Sequence, residues 1–253
     1  MVIKQDIWIT PYGCNRTLHI YLPEQLSEEH PAGVLYMFDG HNLFYDEDAT
    51  FGKSWGLREF LDKKKANLIV VGLECNHEGD ERLKEFTPYS YNDWDYGYVE
   101  ERGKVLAQWI AKELKPWVDE NFPTKADREH TYVGGSSLGG TMAFYMMLMY
   151  SDIFSKGVVV SPHIYPMYKH LREDLGHEMH PDTTVYMSWG GREYPTHRIF
   201  ALATDQNLQI MRALMKKPGV DVIPHAYKNM NHSEAAWQKE VPIWFKVLDL
   251  YEE

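Results

Sequence analysis

Short, nearly unbroken apolar runs recur along this chain with helix-length segments between them, and that alternation limits the fold more than any other feature. Gly33-Val34-Leu35-Tyr36-Met37-Phe38, Leu68-Ile69-Val70-Val71-Gly72-Leu73, Gly157-Val158-Val159-Val160 and Thr184-Val185-Tyr186-Met187 carry almost no polar residue. A strand of that kind is covered on both faces, as in a parallel sheet flanked by helices. Helices are expected at 55–65, at 99–121, after Ser137 and at 198–216. In the second of these, Leu106, Ile110, Leu114, Trp117 and Val118 follow the spacing of an apolar stripe, and Pro116 is expected to kink it. A strand near 222–227 and a helix at 234–250 close the chain.

The N-terminus differs. Asp6-Ile7-Trp8-Ile9-Thr10 and Thr17-Leu18-His19-Ile20-Tyr21-Leu22 alternate apolar with polar residues across the turn Tyr12-Gly13-Cys14-Asn15, so they read as a hairpin. The expectation is an α/β chain: a mostly parallel sheet of about eight strands, an N-terminal antiparallel hairpin, helices on both faces, and residues 1–253 as one domain. The stretch 76–97 reads as a long irregular loop holding Phe86, Tyr89, Tyr91, Trp94 and Tyr96. Loops of that length inside a compact domain are uncommon and often functional.

Charge removes several classes of function. With a net charge of −11 and no long basic run, the chain lacks what neutralises nucleic-acid phosphates. The first residues show no apolar signal segment, and no window approaches the length needed to cross a bilayer, so a cytoplasmic location with no membrane partner is expected. Cys14 and Cys75 have neither metal-site spacing nor disulfide-scaffold density, and read as two free buried thiols.

The chemistry concentrates at Gly135-Ser136-Ser137-Leu138-Gly139, a G-x-S-x-G pattern whose glycines allow the tight turn that lifts a serine above the end of a sheet. The pattern is short enough to arise by chance, but the strand residues Tyr132 and Val133 precede it and a helix-forming run follows. Serine is a poor nucleophile alone and needs an adjacent base held in the right tautomer by a third group. Among the histidines after Ser137, only His232 combines a loop after the last strand with the start of a helix; His225 falls within the strand. The acid is expected where Met187-Ser188-Trp189-Gly190-Gly191-Arg192-Glu193 leaves the sheet, and Glu193 is the first carboxylate there, with Asp205 in the following helix as the reserve. For the developing oxyanion, the N–H of Leu138 and one from Asp39-Gly40-His41-Asn42 are expected, His41 ahead of Asn42. One histidine in a turn makes a weak metal ligand set.

These segments together resemble the putative-esterase family of α/β-hydrolases. The resemblance rests on Phe38-Asp39-Gly40-His41-Asn42-Leu43-Phe44, Gly134-Gly135-Ser136-Ser137-Leu138-Gly139-Gly140, Gly190-Gly191-Arg192-Glu193 and His232-Ser233-Glu234-Ala235-Ala236-Trp237, and runs over nearly the whole chain. That family includes esterase D, feruloyl and acetyl-xylan esterases and siderophore trilactone esterases. The resemblance implies the α/β-hydrolase fold and hydrolysis of a small-molecule carboxylic ester through an acyl-enzyme, with no metal or organic cofactor. Thioesterase and acyl-transferase activities share the same equipment, and oligomeric state is left open.

Two rivals come from other classes. His177-Glu178-Met179-His180 suggests zinc catalysis, but no H-E-x-x-H is present and the neighbouring Gly176 and Pro181 indicate a loop. A catalytically silent binding module on the same fold is the other, set against triad candidates in the order serine, acid, histidine. For substrate, Trp55, Tyr91, Trp94 and Trp189 are expected to form an aromatic wall suited to a sugar ring or an aromatic acyl group, favouring short or aromatic acyl esters of a polyhydroxylated alcohol. The methionines at 142, 146, 147 and 149 read as core packing rather than a pocket.

Overall fold

The apolar runs become the central strands of an eight-stranded sheet in a computed structural model that describes residues 1–93, 95–194 and 196–250. β1 (Val2–Ile9) and β2 (Cys14–Tyr21) form the antiparallel hairpin. β2 also pairs antiparallel with β4 (Leu68–Leu73), which lies parallel to β3 (Gly33–Phe38). β5 (Tyr91–Asp93) and β6 (Gly97–Val99) make a separate small hairpin. β7 (Thr131–Ser136), β8 (Lys156–Val160), β9 (Thr183–Gly190) and β10 (Val220–Tyr227) extend the main sheet in parallel, giving the order β1-β2-β4-β3-β7-β8-β9-β10. This is the mostly parallel sheet, with its N-terminal hairpin, that the sequence pattern leads one to expect.

Side chains alternate across the sheet and build two cores. Val34, Tyr36 and Phe38 face one core, with α3 (Gly103–Trp109), α4 (Lys115–Asn121), α5 (Leu138–Met149), α6 (Tyr168–Asp174) and α7 (His197–Leu214) supplying its other side. Leu35 and Met37 face the other, closed by α1 (Leu57–Lys64), α8 (Glu234–Trp237) and α9 (Val241–Val247). Because both sheet faces are covered, the strands can be apolar throughout. α5 is apolar on every side, and Met142, Met146 and Met147 are fully buried in the first core.

Several elements differ from the sequence expectation. The stretch 76–97 is not an irregular loop: it holds α2 (Glu81–Glu85) and most of the β5–β6 hairpin, elements too short to leave a periodic signature. The hairpin turn is closed by Asp93, whose Oδ1 accepts from the N–H of Asp95 at 2.8 Å and of Tyr96 at 3.2 Å, and by Gly97 at φ 71°. The helix placed at 99–121 begins at Gly103, and Ile110–Leu114 is a π-helical turn before α4. Pro116 has no N–H to donate and its ring crowds the preceding turn, which the wider π turn accommodates. The helix placed at 234–250 is split, with a proline in the first turn of α9 ending any continuation from α8. Both thiols are free, but Cys14 is only half-buried, at the end of the edge hairpin. Among the described residues, no helix is long and apolar enough to cross a membrane.

Candidate active site

The parallel strands share one direction, so the loops after β3, β4, β7, β8, β9 and β10 gather at one end of the sheet. At its centre, Ser137 follows β7, its backbone at φ 56° and ψ −124° before α5 begins. Such a conformation is costly for a residue with a side chain, on the order of 1–3 kcal/mol. It is held by its neighbours: the Ser137 N–H donates to the Val160 carbonyl at 3.1 Å, and its own carbonyl accepts from the N–H of Thr141 at 3.0 Å and of His163 at 3.1 Å. Two motif glycines are required by close approach. A Cβ at Gly135 would lie 2.6 Å from the Gly139 backbone, and one at Gly139 would lie 2.8 Å from the Cβ of Phe38.

The loops after β9 and β10 are stitched backbone to backbone, with the Gly191 N–H on the Tyr227 carbonyl at 2.7 Å and the Arg192 N–H on the Met230 carbonyl at 3.0 Å. This brings Glu193 and His232 together, although 39 residues separate them. The Glu193 side chain is only 3% exposed, and its Oε1 accepts from Ser161 Oγ at 2.6 Å and from the Gly190 N–H. Its Oε2 faces His232 Nδ1 at 3.5 Å. That is longer than a well-formed hydrogen bond. Trp237 backs the pair: its indole N–H donates to Ser161 Oγ at 2.9 Å, and its ring meets the His232 imidazole edge to face, centroids 4.9 Å apart. The imidazole remains 36% exposed, within reach of water.

The loop after β3 turns through Asp39, at φ 57°, into a single 3-10 turn, Gly40–Asn42. Gly40 lies against the backbone of Gly72, leaving no room for a side chain. The Asp39 carboxylate is buried and takes both 2.7 Å hydrogen bonds of a bidentate pair with Arg82. Burial alone would raise its pKa, but the adjacent guanidinium holds the carboxyl below the ordinary aspartate value. The Asn42 N–H is engaged, donating to the Asp39 carbonyl at 2.9 Å, whereas among the described residues the His41 N–H has no acceptor. Of the two residues expected to offer an oxyanion donor, the geometry leaves only His41 with a free amide. Burial lowers the His41 imidazole to about 4, so the ring is neutral near pH 7.

Ser137, His232, His41, Arg82, Phe51 and Trp237 line one cleft of about 190 Å³. Asn42 also borders it. The aromatic wall is not the expected one. Trp55 is buried behind Trp237, ring centroids 5.8 Å apart, and Trp189 is buried in the core beneath α7; neither reaches the cleft. Tyr91 is buried in the β5–β6 hairpin with its ring 6.4 Å from that of His163, and Trp94 lies outside the described residues. Phe51, 80% exposed, and Trp237 line the cleft. Asp205 is exposed on α7 and accepts from Gln209 at 2.6 Å, and His225 packs between Tyr186 and Tyr227. A bigger cavity of about 520 Å³, bordered by Met1, Tyr21, Asp62 and Asn67, lies at the other end of β4, away from these groups.

Sequence reasoning missed Arg82, Phe51, Ser161 and Trp237. Only Trp237 stood in a quoted motif, and Asp39 and Arg82, 43 positions apart, carry no pattern that pairs them.

A family model described as "Putative esterase" matches residues 10–247. A curated endo-1,4-beta-xylanase/feruloyl esterase from Xylanibacter ruminicola is 30% identical over 162 residues, covering 58% of this chain and 19% of that protein. Among solved structures, an IroE-like serine hydrolase from Shewanella oneidensis superposes with a TM-score of 0.77 at 17% identity, over 99% of this chain and 80% of that one. The siderophore hydrolase EstA from Aspergillus nidulans superposes with a TM-score of 0.73 at 16% identity, over 98% and 95%. At these identities the structural likenesses establish the α/β-hydrolase fold.

Proposed function

The chain belongs to the putative-esterase family, and from that membership and the geometry of the cleft we propose that it hydrolyses carboxylic esters through an acyl-enzyme on Ser137. Ser137 Oγ attacks the ester carbonyl while His232 takes its proton and passes it to the departing alcohol. Glu193, anchored by Ser161 and the Gly190 N–H, orients the imidazole and stabilises its charged form. The N–H groups of Leu138 and His41 receive the oxyanion, a donor pair in which each member is worth about 10²–10³ in kcat. Water activated by His232 then releases the acid. The observation that carries this reading is the opening of the Ser137 turn, His232 and the free His41 amide onto one cleft, with a buried carboxylate behind the histidine.

For substrate, the cleft supports short or aromatic acyl esters of a sugar or other polyhydroxylated alcohol. Its volume of about 190 Å³ is below the roughly 300–1,000 Å³ of typical small-molecule sites, which suits a small acyl group rather than a long lipid chain. Phe51 and Trp237 offer flat apolar faces. Feruloyl esters, named for the Xylanibacter protein, fall within this class, whereas siderophore hydrolysis, named for the Aspergillus protein, is the alternative for the same triad. A panel of short-chain, aromatic and sugar esters assayed with the purified protein tests it. Higher kcat/KM for long-chain lipid esters would overturn the substrate assignment.

A further inference from the structure

The residues that follow β4 bring a thiol and a second imidazole against the side chain of His41. Cys75 Sγ lies 3.9 Å from His77 Nδ1, and the His41 and His77 rings meet at 77° with centroids 4.6 Å apart. Each of the three residues offers a ligand atom within 4.8 Å of the others. Both imidazoles are fixed through one nitrogen: His41 Nε2 on Thr50 Oγ1 at 2.9 Å, His77 Nε2 on Glu74 Oε1 at 3.1 Å. Metal-binding histidines are typically held in this way, their second nitrogen oriented by a hydroxyl, carbonyl or carboxylate. His41 is only 3% exposed, yet its remaining nitrogen, Nδ1, is buried without a hydrogen-bond partner. A buried ring nitrogen left unpaired beside a thiol needs an explanation.

We propose that His41, Cys75 and His77 bind a single zinc ion, with a water in the fourth position. Two imidazoles and one thiolate suit a borderline-soft d¹⁰ ion, whereas magnesium and calcium prefer oxygen donors. Ligand bonds of about 2.0–2.3 Å require the three donors to draw together by less than about 1–2 Å, within the reach of side-chain rotation. On binding, the Cys75 S–H bond breaks, a Zn–S bond forms and the proton passes to solvent; both histidines give the lone pair of Nδ1, and nothing is oxidised or reduced. His77, with its side chain 54% exposed, provides the way in. His41 also carries the amide proposed for the oxyanion. Zinc is therefore expected to alter ester turnover, a consequence that rests on the esterase reading, while binding itself does not.

Equilibrium dialysis of the full chain against Zn²⁺ tests the site, using wild type, Cys75→Ser, His77→Ala and, as a control at another histidine cluster, His177→Ala. One zinc per chain is expected for wild type and His177→Ala, with at least tenfold weaker binding in the other two. Co²⁺ in wild type should give a thiolate charge-transfer band that Cys75→Ser lacks. If Cys75→Ser does not fold, His77→Ala, at a largely exposed ring, still decides. Wild-type uptake no tighter than that of His77→Ala, or tight binding of copper but not of zinc, would overturn the assignment. Zinc bound with turnover unchanged would overturn only its coupling to the ester site.

Discussion

His232 Nδ1 faces Glu193 Oε2 at 3.5 Å while the other oxygen of the same carboxylate is fixed by Ser161 and the Gly190 N–H. The carboxylate is thus anchored independently of the histidine it orients. Glu193→Gln keeps the shape but lets the histidine settle in the wrong tautomer, so kcat should fall by about two to four orders of magnitude. Asp205→Asn should leave kcat within about twofold, since Asp205 is exposed on α7 and paired with Gln209. Steady-state kinetics of the two variants decide, and a large loss confined to Asp205→Asn would displace Glu193.

If His232 is the base, kcat/KM rises with pH as its imidazole gives up a proton, because only the neutral ring accepts the serine proton. Two other histidines near the site do not explain such a rise: burial lowers both His41 and His163 to about 4, so they are already neutral. The pH–rate profile should rise with pH to a plateau. A chelator should not abolish turnover. A flat profile would remove His232 from the role.

Glu240 is a buried carboxyl that accepts from the Tyr186 hydroxyl at 3.0 Å, and burial raises it to about 7. The folded protein therefore holds this proton more tightly than the unfolded chain. The stabilisation it gives is fully present below the unfolded value of 4.5 and is lost as pH rises through about 7. Glu240→Gln removes that dependence, so the variant's stability relative to wild type should improve by about 2–3 kcal/mol between about pH 5 and pH 8. Urea unfolding at the two pH values measures it, and a difference independent of pH would refute it.

Phe51 and Trp237 are the aromatic faces on the cleft. Phe51→Ala should raise KM for aromatic acyl esters by about three- to tenfold with little change in kcat, the pattern of binding lost equally from ground and transition states. Trp55→Phe and Trp189→Phe, conservative changes at buried rings, should leave KM nearly unaltered. The reverse pattern would restore the wall expected from sequence.

What the sequence made legible is what local pattern encodes. Unbroken apolar runs marked the buried strands, and the strand-to-helix passage around Ser137 marked the tight turn. That Glu193 and His232 meet was readable because each follows a strand whose carboxyl end is fixed by the parallel topology. Direction and distance were not readable. Phe51 and Trp55 stand four residues apart, yet one reaches the cleft and the other is buried behind Trp237. Cys75 and His77 join His41 only because β3 and β4 are neighbours in the sheet, so their grouping has no trace in spacing along the chain. The β5–β6 hairpin was missed because three-residue strands hold too few positions to show alternation.

Trapping the acyl-enzyme tests the proposal most directly. The protein is mixed with an activated aromatic ester, quenched in acid during the first turnovers, digested and mapped by mass spectrometry. The acyl mass should appear on the peptide containing Ser137 and be absent in Ser137→Ala, which should retain the fold and lose essentially all turnover. An acyl group on any other residue, or ester turnover that persists in Ser137→Ala at more than a few per cent of wild type, would contradict it.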